Sequence, residues 1–168
     1  VKMYNCIIPC TGGDIVTIKK NYTIESFLRM CFSKLIKSIV TYLGDLRTSS
    51  IHLQSGAEIL SDAPLDNNGK AEAFSPTDTV ANALAPCMMT IMGIKARDLD
   101  VDLTGSTAEV IKIMNAEPRR IAAIEVAFEM YGTALVKNRT ILERAAMTCP
   151  VFLSLHPEVE KRIVFNWK

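Results

Sequence analysis

From Ser38 to Leu53 apolar and polar positions alternate, and the alternation breaks at Gly44-Asp45. That is the period-2 signature of two strands joined by a tight turn. A loop follows, SDAPLDNNGKAEA, dense in Pro, Asp, Asn and Gly. Next comes SPTDTVANALAPCMMTIMGIKARDL, a helix-length run with apolar residues on most sides. Ser75 suits the N-cap, Pro76 the first helical position, and Asp78 the place of a capping-box acid. A helix apolar on most sides predicts a place at the centre of the fold. VDLTGSTAEVIKIM and RRIAAIEVAFEM predict two extended runs. Glu109, Lys112, Glu125 and Glu129 interrupt their β-branched residues as in a half-exposed antiparallel sheet. A second helix over 134–147, a short helix after Thr148-Cys149-Pro150 and a last strand in EVEKRIVFNW complete the pattern. The order β-β-(loop)-α-β-β-α-β is an α+β arrangement, helices packed against mainly antiparallel sheet.

The first 37 residues are patterned differently. CTGGDIVTIKKNYTIESF carries a Gly-Gly turn, a short β-rich run from Ile15 to Ile18 and a helix start at Thr23. Ile24 to Ile39 then read as a helix with one apolar face, off which Lys34 and Lys37 fall. Residues 1–37 are therefore set apart as an N-terminal extension, and residues 38–168 as the domain proper.

Composition narrows the function classes. Of 168 residues, 49% are hydrophobic and 22% charged, enough apolar material for a core and too much for disorder. Nineteen basic and 18 acidic residues leave a formal charge of +1, without the basic footprint of a nucleic-acid binder. Four Tyr and one Trp offer no base-stacking platform. The five cysteines, Cys6, Cys10, Cys31, Cys87 and Cys149, are widely spaced, and no C-x-x-C pair or His/Cys cluster predicts a metal site. Neither a secretory leader nor a membrane span is expected, since the apolar run around Ile7 and Ile8 is too short and no run of about 18 uninterrupted apolar residues occurs. The expectation is a cytoplasmic protein with free thiols.

Two of those thiols stand in places with chemical consequences. Cys149 precedes Pro150 where a helix begins, so unpaired backbone N–H groups and the positive end of the helix dipole point towards its sulfur. That placement predicts a lowered pKa; the competing reading is a small buried apolar residue. Cys87 follows Pro86, which removes a helical hydrogen bond and crowds the Asn82 carbonyl, so a kink or local break is expected beside this sulfur. Val80, Leu84, Ile91 and Ile94 share the face of Cys87 at helical spacing and predict apolar surroundings. Burial alone raises a thiol pKa, so a reactive Cys87 needs a cation or donor from elsewhere. Otherwise it is a core cysteine, with Met88, Met89 and Met92 as filler around it.

Taken together, FSPTDTVANALAPC and, 62 positions after its cysteine (149 − 87), CPVFLSLHPEV resemble the OsmC/Ohr family, which includes organic hydroperoxide reductases. Its pattern is a proline-opened helix with a cysteine eleven residues on, matched by Pro76 and Cys87, then a Cys-Pro-Val/Tyr stretch about sixty residues later. YLGDLRTSSIHLQSG is similar to the family's opening hairpin, and the resemblance runs from about Ser38 to Trp167. It implies antiparallel sheets around a long central helix in an intertwined homodimer, with active sites at the subunit interface.

It also implies a chemistry. Cys87 would be the peroxidatic residue, left as a sulfenic acid by a small apolar hydroperoxide, and Cys149 would resolve it to a disulfide. No cofactor is bound; an external dithiol, a lipoyl group or small thiol, would recycle the disulfide. Arg47 is the candidate cation for the Cys87 thiolate. The carboxylate that steadies such an arginine follows the helix-opening proline in the hydroperoxide-reductase pattern, and here that position is Thr77. Asp78 is next along and could substitute from the partner subunit, although its capping role explains it better. Thr77 and Pro86 depart from the family pattern. They favour the alternative, a dimeric small-ligand binding protein of the same fold with little or no peroxidase activity.

Overall fold

The computed structural model describes the backbone of Ile7–Pro9 and Ile15–Thr17, and residues 37–132 and 134–168. The chain divides into two units, Val1–Leu60 and Ser61–Lys168. In the first, β1 (Ile7–Pro9) and β2 (Ile15–Thr17) pair antiparallel. The helix expected from Thr23 lies outside the described residues, except at its end, where Ser38 and Ile39 belong to a strand instead. That strand, β3 (Ser38–Gly44), turns at Asp45-Leu46 into β4 (Arg47–His52). The break at Gly44 is the one the alternation predicts. Gly44 itself has φ +89°, a conformation that favours glycine.

One strand falls outside the alternation pattern. β5 (Glu58–Asp62) extends the sheet in the order β3-β4-β5. Its Ile59-Leu60 pair breaks the alternation, so a period-2 search passes over it.

The second unit holds the core. Helix α1 (Pro76–Asp98) packs on a three-stranded sheet of order β6-β7-β8, built from β6 (Thr107–Asn115), β7 (Arg120–Met130) and β8 (Glu160–Trp167). β6 and β7 form an antiparallel pair, whereas β7 and β8 run parallel. The parallel step follows from the connection: α2 (Val136–Ala146) and α3 (Pro150–Ser154) carry the chain back across the sheet before β8 begins. Ala81, Leu84, Ala85, Met88, Met92 and Ala96 of α1 are buried with Ile124, Val126, Phe128 and Met130 of β7 and with Leu142, Ala146 and Cys149. Phe128 stacks on Phe165 at 5.0 Å between ring centroids. Trp167 Nε1 donates to Glu143 Oε1 at 2.7 Å and so ties β8 to α2.

Two expectations about α1 need correction. The helix is buried along one stripe and not on most sides: Val80 and Ile94 are 44% and 47% exposed, and Cys87 and Ile91 are half-buried. That stripe meets β6, β7, α2 and α3. Nor does Pro86 break the helix, which is continuous from Pro76 to Asp98. Pro86 and Asn82 are both exposed, so the hydrogen bond that proline removes lies on the wet side. By length and composition α1 could cross a membrane, but its stripe packs as a core helix does.

Candidate active site

The site is set by how α1 begins. Ser75 Oγ accepts the Asp78 N–H at 3.1 Å, and Asp78 Oδ2 accepts the Ser75 N–H at 2.9 Å, a complete capping box with Pro76 at the first helical position. Lys112 adds a clamp from β6. Its Nζ lies 2.6 Å from Asp78 Oδ1 and donates to Thr77 Oγ1 at 2.8 Å, with only 15% of the side chain exposed. Asp78 is thus committed within its own chain to a cap and an ion pair. Thr77, standing where the hydroperoxide-reductase pattern has a carboxylate, is a neutral hydroxyl that accepts from the Lys112 ammonium.

By pattern Lys112 is one of the polar interruptions of the sheet, and that reading misses this role. Alternation carries part of the signal. Ala108, Val110, Lys112 and Met114 share the inward register of β6, and a lysine on the core side needs a partner there.

Burial pushes the Asp78 carboxyl up, but the Lys112 ammonium and the Ser75 hydroxyl and N–H more than reverse it, leaving its pKa below the ordinary carboxylate value. A carboxylate depressed on folding contributes stability above its unfolded pKa and loses it as pH falls through the folded value. Unfolding midpoints should therefore decline below about pH 4, and Asp78→Asn should flatten that limb of the profile. Lys112→Met should cost about 1–2 kcal/mol at neutral pH, measured by urea denaturation, because it strips a charged hydrogen-bond partner from the helix start.

Nine residues along α1 from Asp78 stands Cys87, half-buried. Leu84 and Met88 beside it in sequence turn into the core, while Val80 and Ile94 stay exposed. Among the described residues of Ser61–Lys168, the apolar enclosure expected for this sulfur is therefore only half supplied. Cys149 is the N-cap of α3, as the Cys-Pro step predicts, and its Sγ accepts the Phe152 N–H at 3.3 Å. The structure brings the two thiols together: Cys87 is close enough to act on Cys149 as a hydrogen-bond partner and a neighbouring charge, and both are free.

The lowered pKa expected for Cys149 is overturned. Burial is the largest influence and pushes this thiol up; Cys87 adds to that, and the N–H groups of Phe152 and Val151 only partly oppose it. The sulfur is 0% exposed, and α3 has five residues, too few for a dipole to offset that desolvation. Arg47 lies in the other unit, half-buried at the head of β4 opposite Gly44.

Comparison with known proteins gives the arrangement a context. The family model described as OsmC-like protein matches residues 69–163, which include both cysteines and the Lys112 clamp. A crystal structure from Psychrobacter arcticus 273-4, of a protein assigned to osmotic stress induction and the detoxification response, is 51% identical. It superposes with a TM-score of 0.75 over 78% of this chain and 96% of that one. An organic hydroperoxide resistance protein from Legionella pneumophila shares the fold at 18% identity, with a TM-score of 0.59 over 79% of this chain and 98% of that one. Another, from Elizabethkingia anophelis, does so at 13% identity with a TM-score of 0.58 over 90% of this chain and all of that one. Among curated proteins none matches. With a match over more than half its length and a half-identical structure of the same fold, the chain belongs to the OsmC-like protein family.

Proposed function

We propose that this protein is a two-cysteine peroxidase that reduces organic hydroperoxides and works as a homodimer. One observation carries the reading: Cys87 and Cys149, remote in sequence, meet as two free thiols. The Cys87 thiolate attacks the terminal peroxide oxygen; a sulfur–oxygen bond forms, the O–O bond breaks, and the alkoxide leaves as alcohol after taking a proton. Cys149 then attacks the sulfenic sulfur, water departs, and a disulfide remains. An external dithiol, a lipoyl group or small thiol, returns the two electrons. Arg47 is the residue we assign to steadying the Cys87 thiolate. Asp78 enters as the cap of α1.

The names of the Legionella and Elizabethkingia proteins support the substrate class. The dimer is supported by the uncovered apolar face of α1, with Val80 and Ile94 beside the half-buried Cys87. A second copy that covers this face would also complete the enclosure that an apolar peroxide needs.

A binding role without turnover is the second reading, and a cleft of about 550 Å³ favours it. Phe74, Asp78, Asn82, Val110 and Lys112 line it, and its size is that of a small-ligand pocket. A thiol count separates the two. One equivalent of cumene hydroperoxide should lower the titratable thiols of the five-cysteine chain from five to three within minutes, and Cys87→Ser should block that loss. An unchanged count would remove the peroxidase reading and leave the binding role.

A further inference from the structure

We infer that the disulfide is opened from one side only: the reducing thiol attacks the sulfur of Cys87, and Cys149 is always the sulfur that leaves. The inference rests on the two-cysteine reading and adds the direction of its recycling step. Thiol–disulfide exchange is an in-line displacement, so the incoming sulfur must approach on the side opposite the departing one. Cys149 is fully buried among Leu84, Met88, Leu142 and Ala146 in the core. Its residue has no exposed surface from which a thiol could approach. Cys87 is half-buried on the face of α1 that carries exposed Val80 and Ile94. Cys87 therefore keeps accessible surface where Cys149 has none, and the path that admits a hydroperoxide to Cys87 admits the thiol as well.

The bonds balance. A thiolate of the reductant forms a bond to Cys87 Sγ, the Cys87–Cys149 bond breaks, and its electron pair goes to Cys149. The Phe152 N–H, 3.3 Å from Cys149 Sγ in the reduced protein, is in place to receive that charge. Burial opposes the charge, so departure is slow, but access leaves no other sulfur to attack. The reductant's second thiol, or a second reductant molecule, then displaces Cys87 and completes the two-electron reduction.

The test uses the full chain oxidised in parallel by diamide and by cumene hydroperoxide. Each sample is mixed with excess cysteamine and quenched in acid along a time course. Peptide mass spectrometry then locates the adduct. Cysteamine should be found on Cys87, in at least about tenfold excess over Cys149, with Cys149 free. Adduct on Cys149, or an even split, would overturn the inference. So would a chain that yields no Cys87–Cys149 disulfide with either oxidant. If diamide makes the disulfide and the hydroperoxide does not, the peroxidase reading fails, and the adduct position in the diamide sample still decides the direction of exchange. A second measurement compares single variants: 5,5′-dithiobis(2-nitrobenzoate) should react faster with Cys87 in Cys149→Ser than with Cys149 in Cys87→Ser. Equal rates would count against a one-sided site.

Discussion

Cys87→Ser is expected to abolish hydroperoxide turnover, lowering kcat/KM by a factor on the order of 10³ or more, as removal of an attacking nucleophile does. A serine hydroxyl is not ionised at neutral pH and has no accessible path to a sulfenic acid. Cys149→Ser should behave differently. The attack on peroxide needs only Cys87, so this variant should release one equivalent of alcohol in a burst and then stall as the sulfenic acid, which dimedone would trap. Its fold should survive, because serine is a preferred N-cap and can accept the Phe152 N–H that Cys149 now accepts. Stopped-flow measurement of alcohol release distinguishes the two variants. A Cys87→Ser protein that still turned over, or a Cys149→Ser protein without a burst, would each contradict the assigned order of events.

How far the sequence leads depends on the range of the physics involved. The cap of α1 is local: Ser75, Pro76 and Asp78 signal it by type and spacing, and the structure has both reciprocal hydrogen bonds. The β3–β4 hairpin is equally local. The ionisation of Cys149 is not, because it balances a short-range gain at a helix start against burial that only the packed core decides. Local chemistry pointed to a lowered pKa, and the core reversed it. Lys112 failed for a related reason. Its charge was legible, but the side of the sheet it faces depends on register. The face of α1 with Val80, Ile91 and Ile94 is apolar in the sequence and only partly covered by the described residues of Ser61–Lys168, and no periodicity states which surface covers it. The pairing of Cys87 with Cys149 came from the family resemblance, and the geometry brings those same two thiols together.

Phe128→Ala is expected to cost about 3–5 kcal/mol, a large share of the 5–15 kcal/mol typical of a folded domain. Phe128 is 0% exposed in the central strand, directly between Ala108 and Phe165 in register, and its ring stacks on Phe165. Truncation would remove the stack and open a cavity beneath α1. Phe128→Leu, which keeps most of the volume, should cost less than about 1.5 kcal/mol. Urea midpoints at unchanged slope measure both. The oxidation state of the site offers a second arm, because the cysteines lie in α1 and at the start of α3 and a bond between them would close a loop of 62 residues. On the chain-entropy account such a loop stabilises by about 4 kcal/mol. Oxidised Phe128→Ala protein should therefore unfold at nearly the urea concentration of the reduced parent. If oxidation leaves its midpoint unchanged, the two sulfurs are not held in a geometry that a disulfide can adopt without strain. The resolving step assigned to Cys149 would then require α3 to move.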